Sequence, residues 1–257
     1  MSLLQVKRIT KHFGGLTALS DLSFSVEEGK VFGLIGPNGA GKTTLLNIIS
    51  GFLKATSGNI ILQGKSITGC HPHILASRGI SRTFQNGQIF GNMTALENVM
   101  VGCHIRFGGE FLNAALQTGW SRRQEGEIRQ VSVEILASMG LQAWAQEPAD
   151  SLPFGLQRLL EIARGVATKP RLLLLDEPAA GLNREEKERL TLEIARLRCQ
   201  GITIILVEHD MDVVMSICDR LVVLNYGQKI AEGTPEEVQK DREVVAAYLG
   251  DEDGFHA

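Results

Sequence analysis

The apolar stretch V31-F-G-L-I35 runs directly into G36-P-N-G-A-G-K-T43 and on through K42-T-T-L-L-N-I-I-S50. A short apolar run bounded by turn residues reads as a buried strand, the pattern after the glycines has helical spacing, and Gly51 is placed to stop the helix. Strand, glycine loop and helix in this order constrain the chain more than any other feature it has. The small residues let the backbone curl with its N–H groups inward round a β-phosphate. Lys42 then reaches the β- and γ-oxygens, and the Thr43 hydroxyl is a ligand for Mg²⁺.

Phosphoryl transfer further needs an acid to hold the metal and a group to orient the attacking water. The run L172-L-L-L-D-E177 ends an apolar strand on two acids. Asp176 emerges at the carboxyl end of the strand, where open α/β sheets bind ligands, and is expected to hold Mg²⁺ through water; Glu177 is expected to act as general base. His209 follows a further apolar strand, I202-T-I-I-L-V207, in V207-E-H-D. Alone, such a histidine reads as well for a packed or surface residue, and Gln85 in S81-R-T-F-Q-N86 says less.

The rest of the chain fits an α/β core interrupted by helices. Leu22, Phe24 and Val26 alternate as in a half-buried strand, and residues 221–224 and 229–233 flank Y226-G as a hairpin would. Between about 85 and 165 strand signals are few. Ile128, Val131, Ile135, Leu136 and Met139 form one helix face, preceded by a loop-like segment at 102–120. Asn183 with Glu186 has the form of a capping box. The stretch S151-L-P-F-G-L-Q157 places a turn at the start of an amphipathic helix, whose N-terminus suits an anion.

Composition removes some function classes. With 26 Lys and Arg against 29 Asp and Glu, net charge is −3, which speaks against a nucleic-acid partner. No apolar run reaches the roughly 18 residues of a membrane span, and the first residues carry no secretory pattern. Cys70, Cys103, Cys199 and Cys218 lack metal-ligand spacing; Cys199 and Cys218, in apolar contexts, are expected to be buried.

Taken in order, G36-P-N-G-A-G-K-T-T44, Gln85, L152-P-F-G-L-Q157, L172-L-L-L-D-E-P178 and His209 closely resemble the ATPase subunit of ATP-binding cassette (ABC) transporters over nearly the whole chain. The resemblance implies one ABC ATPase domain over 1–257: a P-loop NTPase core of mixed or parallel sheet (1–84 and 166–257), with an N-terminal antiparallel β subdomain and a helical signature subdomain (85–165). It implies that Phe13 stacks on adenine, and that Gly36, Asn38, Gly39, Ala40, Gly41, Lys42, Thr43 and Thr44 hold the phosphates of ATP. Gln85 would contact Mg²⁺ and sense the membrane partner, and His209 would touch the γ-phosphate. Gly155 would act across a head-to-tail pair with a second ATPase subunit, identical or related.

Finer similarity in F84-Q-N, F90-G-N-M-T-A-L-E-N-V99, L160-E-I-A-R, D176-E-P-A-A-G-L-N183, E208-H-D-M211 and V244-V-A-A-Y-L-G250 points to the branched-chain amino-acid uptake branch. That implies a peripheral subunit on the cytoplasmic membrane face, working with integral-membrane permeases and, indirectly, a substrate-binding protein. Urea or short-chain amide uptake is the nearest alternative, followed by a non-transport assembly or regulatory ATPase. Two positions depart from the family pattern. Pro153-Phe154-Gly155-Leu156 stands where Ser-Gly-Gly-Gln is usual, and Asn183 where aspartate is usual.

Overall fold

The computed structural model describes residues 2–83, 89–104 and 119–249. Two sheets carry the architecture. The smaller is antiparallel, in the order β2-β1-β4-β5, from β1 (Ser2–Phe13), β2 (Leu16–Glu27), β4 (Ser57–Leu62) and β5 (Lys65–Ser66). The larger has the order β10-β9-β3-β8-β7-β6, from β3 (Val31–Ile35), β6 (Ile80–Arg82), β7 (Leu172–Asp176), β8 (Thr203–Val207), β9 (Arg220–Asn225) and β10 (Gln228–Gly233). Its strands are parallel except β10, which returns antiparallel on β9 through the expected Tyr226-Gly227 turn.

The all-apolar strands are explained by cores on both faces of the larger sheet. Val31 and Ile35 of β3 and Leu173 and Leu175 of β7 point into one core with the helices. Phe32, Leu34, Leu172 and Leu174 point into the other, which the smaller sheet completes. There the rings of Phe24 and Phe32 stack at 5.3 Å. A Cβ on Gly33 would stand 2.4 Å from Leu221 Cδ2, so this glycine sets how closely β3 and β9 pack.

The helices are α1 (Lys42–Ile49), α2 (Pro72–Ser77), α3 (Ala95–His104), α4 (Gly119–Ser138), α5 (Phe154–Ala167), α6 (Arg184–Cys199), α7 (Met211–Ile217), α8 (Pro235–Gln239) and α9 (Arg242–Leu249). Gly102 lets α3 lie on α5, since a Cβ there would meet the Arg164 carbonyl oxygen at 2.3 Å. Ile128, Leu136 and Met139 are buried as the helical period required, and they share a core with the sheet.

Two expectations need correction. The loop-like segment is shorter than its composition indicated: α3 continues to His104 and α4 already includes Gly119, while 105–118 lie outside the described residues. Cys199 is exposed, because Leu190, Ile194 and Leu197 take the buried face of α6 and leave its last residue toward solvent. Cys218 is buried, and burial pushes its thiol up to about 12.

Candidate active site

The glycine loop lies at the carboxyl end of β3 and is enclosed by distant parts of the chain. Gly36 has φ 145°, and a Cβ there would stand 2.0 Å from the Leu224 carbonyl oxygen. Gly41, at φ 100°, would place a Cβ 2.8 Å from the Ala18 carbonyl oxygen. Both positions exclude side chains on conformational and steric grounds. The Gly227 amide donates to the Ala40 carbonyl at 3.1 Å, tying the β9–β10 turn to the loop. Behind it, the Tyr248 phenol bonds the backbone of Gly36, and burial raises its pKa.

Lys42 is buried, and its Nζ donates to the carbonyls of Gly36 at 2.6 Å and Pro37 at 2.9 Å. The ammonium thus sits within the curl. Asn38 and Gly39 are exposed at the tip, while Thr43 and Thr44 occupy the first turn of α1 with the Thr43 side exposed. Amides in a helix's first turn lack a carbonyl one turn back and carry the positive end of its dipole. Phosphate is the anion this geometry suits.

Phe13 ends β1 at the β1–β2 hairpin, is 46% exposed, and has Lys11 Nζ 4.8 Å from its ring centroid. It is not a core residue. Because Phe13 pairs with Leu16, and Ala18 two residues on contacts Gly41, the hairpin end flanks the loop.

Asp176 ends β7 at 3% exposure. Arg82 Nη2 donates to its Oδ2 at 2.9 Å, while Arg82 Nη1 reaches Asn47 Oδ1 at 2.7 Å and Ser50 Oγ at 2.8 Å. One guanidinium therefore ties the acid to the far end of α1. Among the described residues the other oxygen, Oδ1, is buried without a hydrogen-bond partner. An acid fixed through one oxygen with the second unsatisfied fits a water-coordinated Mg²⁺, with the Thr43 hydroxyl at the head of α1 as the complementary donor.

Glu177 adopts φ 50°, uncommon for a residue with a side chain, and its amide donates to the Val207 carbonyl at 2.9 Å. His209 Nε2 lies 2.7 Å from Glu177 Oε1. Residues 32 apart in sequence thus meet at the carboxyl ends of adjacent strands β7 and β8. Strain held in place by neighbouring structure is a mark of functional positions.

Glu208 was missed as a functional residue. It is buried; Oε1 accepts from the Ala179 amide at 2.6 Å and Oε2 from the His209 amide at 3.2 Å. Burial holds its carboxyl above the usual range against these amides, and the nearby Glu177 charge adds to the rise. It joins the loop after Glu177 to the loop of His209 and so sets their separation. The available signal was an acid directly following five buried strand residues. Next to it Lys187 pairs with Asp210 at 2.6 Å; that hydrogen bond lowers the Asp210 carboxyl.

The signature-like turn is built differently. Pro153 is the N-cap of α5 and makes no side-chain cap; Phe154 is 48% exposed, with Arg158 5.0 Å from its ring centroid. Gly155 is buried against α6, where a Cβ would stand 2.5 Å from Glu186 Oε1. Glu186 is itself half of the capping box anticipated in the sequence: its amide donates to Asn183 Oδ1 at 3.0 Å, and its Oε2 accepts from the Asn183 amide at 2.9 Å. Asparagine and aspartate cap about equally well, so Asn183 leaves the local structure intact. Gln85 lies outside the described residues; the strand leading to it ends with the Thr83 amide donating to Leu174 O at 3.0 Å.

Comparison with known proteins gives a consistent picture. The pattern of the family described as "ABC transporter" matches residues 19–180, and that described as "Branched-chain amino acid ATP-binding cassette transporter" matches 228–254. The chain is 45% identical over 250 residues to the high-affinity branched-chain amino acid transport ATP-binding protein BraF of Pseudomonas aeruginosa, covering 97% of this chain and 98% of that protein. It is 41% identical to LivG of Escherichia coli K12, a protein of the same description, with the same coverage. Among solved structures, the ADP conformation of MJ1267, an ATP-binding cassette of an ABC transporter, superposes with a TM-score of 0.85 at 37% identity, covering 97% of this chain and 99% of that one. A dimeric post-hydrolysis state of the cassette MJ0796 bound to ADP and Pi gives 0.76 at 26% identity, covering 90% and 98%.

Proposed function

This chain belongs to the ABC transporter family as one of its ATP-hydrolysing cassettes, and from that premise we propose that it powers uptake of branched-chain amino acids through separate integral-membrane permeases. The match of residues 228–254 to the branched-chain cassette pattern supports this cargo over urea or short-chain amides. Among the described residues no helix is long and apolar enough to cross a membrane. A peripheral position on the permeases at the cytoplasmic face accords with that, and a substrate-binding protein would deliver the cargo.

In this reading the loop amides and Lys42 hold the phosphates of ATP, and Phe13 stacks on the adenine. Asp176, Thr43 and Gln85 would hold Mg²⁺, which when bound neutralises charge on the phosphates. Glu177 accepts a proton from the attacking water, and His209, in contact with Glu177, positions the γ-phosphate. Residues 1–84 and 166–257 form the nucleotide core, and 85–165 present Gly155 to the nucleotide of a second ATPase subunit. The dimeric MJ0796 structures are consistent with such pairing.

The observation that carries the reading is the 2.7 Å contact between Glu177 and His209 beside the loop. Glu177→Gln, assayed in the complex reconstituted with permeases and binding protein, is expected to bind ATP but lose about 10²- to 10⁴-fold in turnover, the scale of a general base. Unchanged turnover would sink the catalytic assignment. Leucine against urea uptake by the same vesicles tests the cargo.

A further inference from the structure

Away from the nucleotide loop, a cavity of about 820 Å³ opens between the β4–β5 turn, the end of α2 and the connection from α5 to β7. Among the described residues four cations line it, Lys65, Arg78, Lys169 and Arg171, and no carboxylate does. They come from three segments of the chain, so the convergence is produced by the fold rather than by a basic run. Among the described residues none of the four enters an ion pair, whereas Lys30, Arg158, Arg184, Lys187, Arg196, Arg198 and Lys229 all do. Among the described residues the Arg78 guanidinium donates only to the Ser66 carbonyl at 3.3 Å and Cys70 Sγ at 3.6 Å, neither of them charged.

Four like charges facing one cavity repel each other, and a protein of net charge −3 has acids to spare for neutralising them. The backbone adds a second observation. Among the described residues six non-glycines have positive φ; Glu177 and Tyr226 are at the nucleotide loop and its flanking turn, and Gln63 (φ 48°) and Lys169 (φ 52°) both line this cavity. Lys169 follows directly on Thr168, the C-cap of α5, so its positive φ belongs to the turn that ends this helix at the cavity wall.

We propose that this cavity is a binding site for an anion carrying more than one phosphate group. Two guanidiniums offer paired donors suited to phosphate oxygens, two ammoniums add point charges, and Gln63 and Thr168 supply neutral polar groups at the wall. The volume exceeds what a single phosphate would fill. An acidic-lipid headgroup beneath the bilayer and a free oligophosphate share this chemistry.

The test uses the full chain with its nucleotide site saturated by ADP. One arm titrates sodium tripolyphosphate calorimetrically; the other sediments the protein with vesicles of phosphatidylcholine containing one-quarter phosphatidylglycerol, against phosphatidylcholine alone. Each is repeated with Lys65→Glu/Arg171→Glu, two exposed changes expected to leave ATP hydrolysis intact. Binding to either probe, weakened by salt and lowered about tenfold or more in the double variant, is expected, since at least one charge-assisted hydrogen bond is lost. Tripolyphosphate binding alone identifies a soluble ligand, and vesicle binding alone a lipid headgroup. No binding to either probe, or binding that the double variant retains, would overturn the proposal.

Discussion

Two helix starts, those of α1 and α5, are proposed above to meet the phosphates of ATP, and they are built in opposite ways. At the head of α1 the loop is fixed from every side: Leu224 and Ala18 leave no room at Gly36 and Gly41, Gly227 bonds Ala40, and the Lys42 ammonium is already inside the curl. At the head of α5 the N-cap is a proline without a side-chain cap, and Phe154 is half-exposed. The first start is complete within its own chain. The second carries only a dipole, a few amides and a glycine, which is what would be expected of a surface whose other half arrives on another subunit.

That contrast can be broken on the loop side first. Arg82→Gln leaves Asp176 buried without its cation and cuts the tie to Asn47 and Ser50, a loss of about 3 to 5 kcal/mol in stability. Chemical denaturation reads it; a loss below about 1 kcal/mol, the worth of one ordinary hydrogen bond, would mean that the loop does not depend on this clamp. At the signature turn, Pro153→Ser supplies a hydroxyl where none exists, and ATPase activity of the assembled complex is expected to rise about tenfold, equivalent to one hydrogen bond to a charged group. If instead only the isolated chain becomes more stable, the hydroxyl is capping its own helix and the contrast is sharper than drawn. The smallest effect belongs to Gly155→Ala. The added methyl displaces Glu186 and opens the Asn183 capping box, costing about 1 kcal/mol. In a Glu186→Ala background the same change should cost little, and equal costs in both backgrounds would show that the contact is not what confines Gly155.

What could be read from the sequence follows the range of the interactions. The strand, loop and helix of 31–50 were legible because each signal is local. So were the β9–β10 hairpin and the Asn183–Glu186 box, whose partners lie within a few residues. Arg82 was not: it meets Asp176 94 residues away, and its strand β6 is three residues long, too short to show a period. Glu208 reads in sequence as an acid at a strand end; only the fold shows that it bonds the loop after Glu177. The burial expected of Cys199 failed because apolar neighbours in sequence sit on another face of the same helix.

The enclosure of the glycine loop also has a consequence in time. Strand β3, with residues 31–35, is paired on one side with β8 and on the other with β9, and the walls that force Gly36 and Gly41 into shape include residues 224 and 227. A ribosome releases the loop's residues long before it releases their neighbours, and contacts of such sequence separation form late. A growing chain therefore owns the phosphate-binding sequence long before it owns the pocket. Nucleotide can first be gripped, and can first assist folding, only once β9 and the turn through Gly227 are in place.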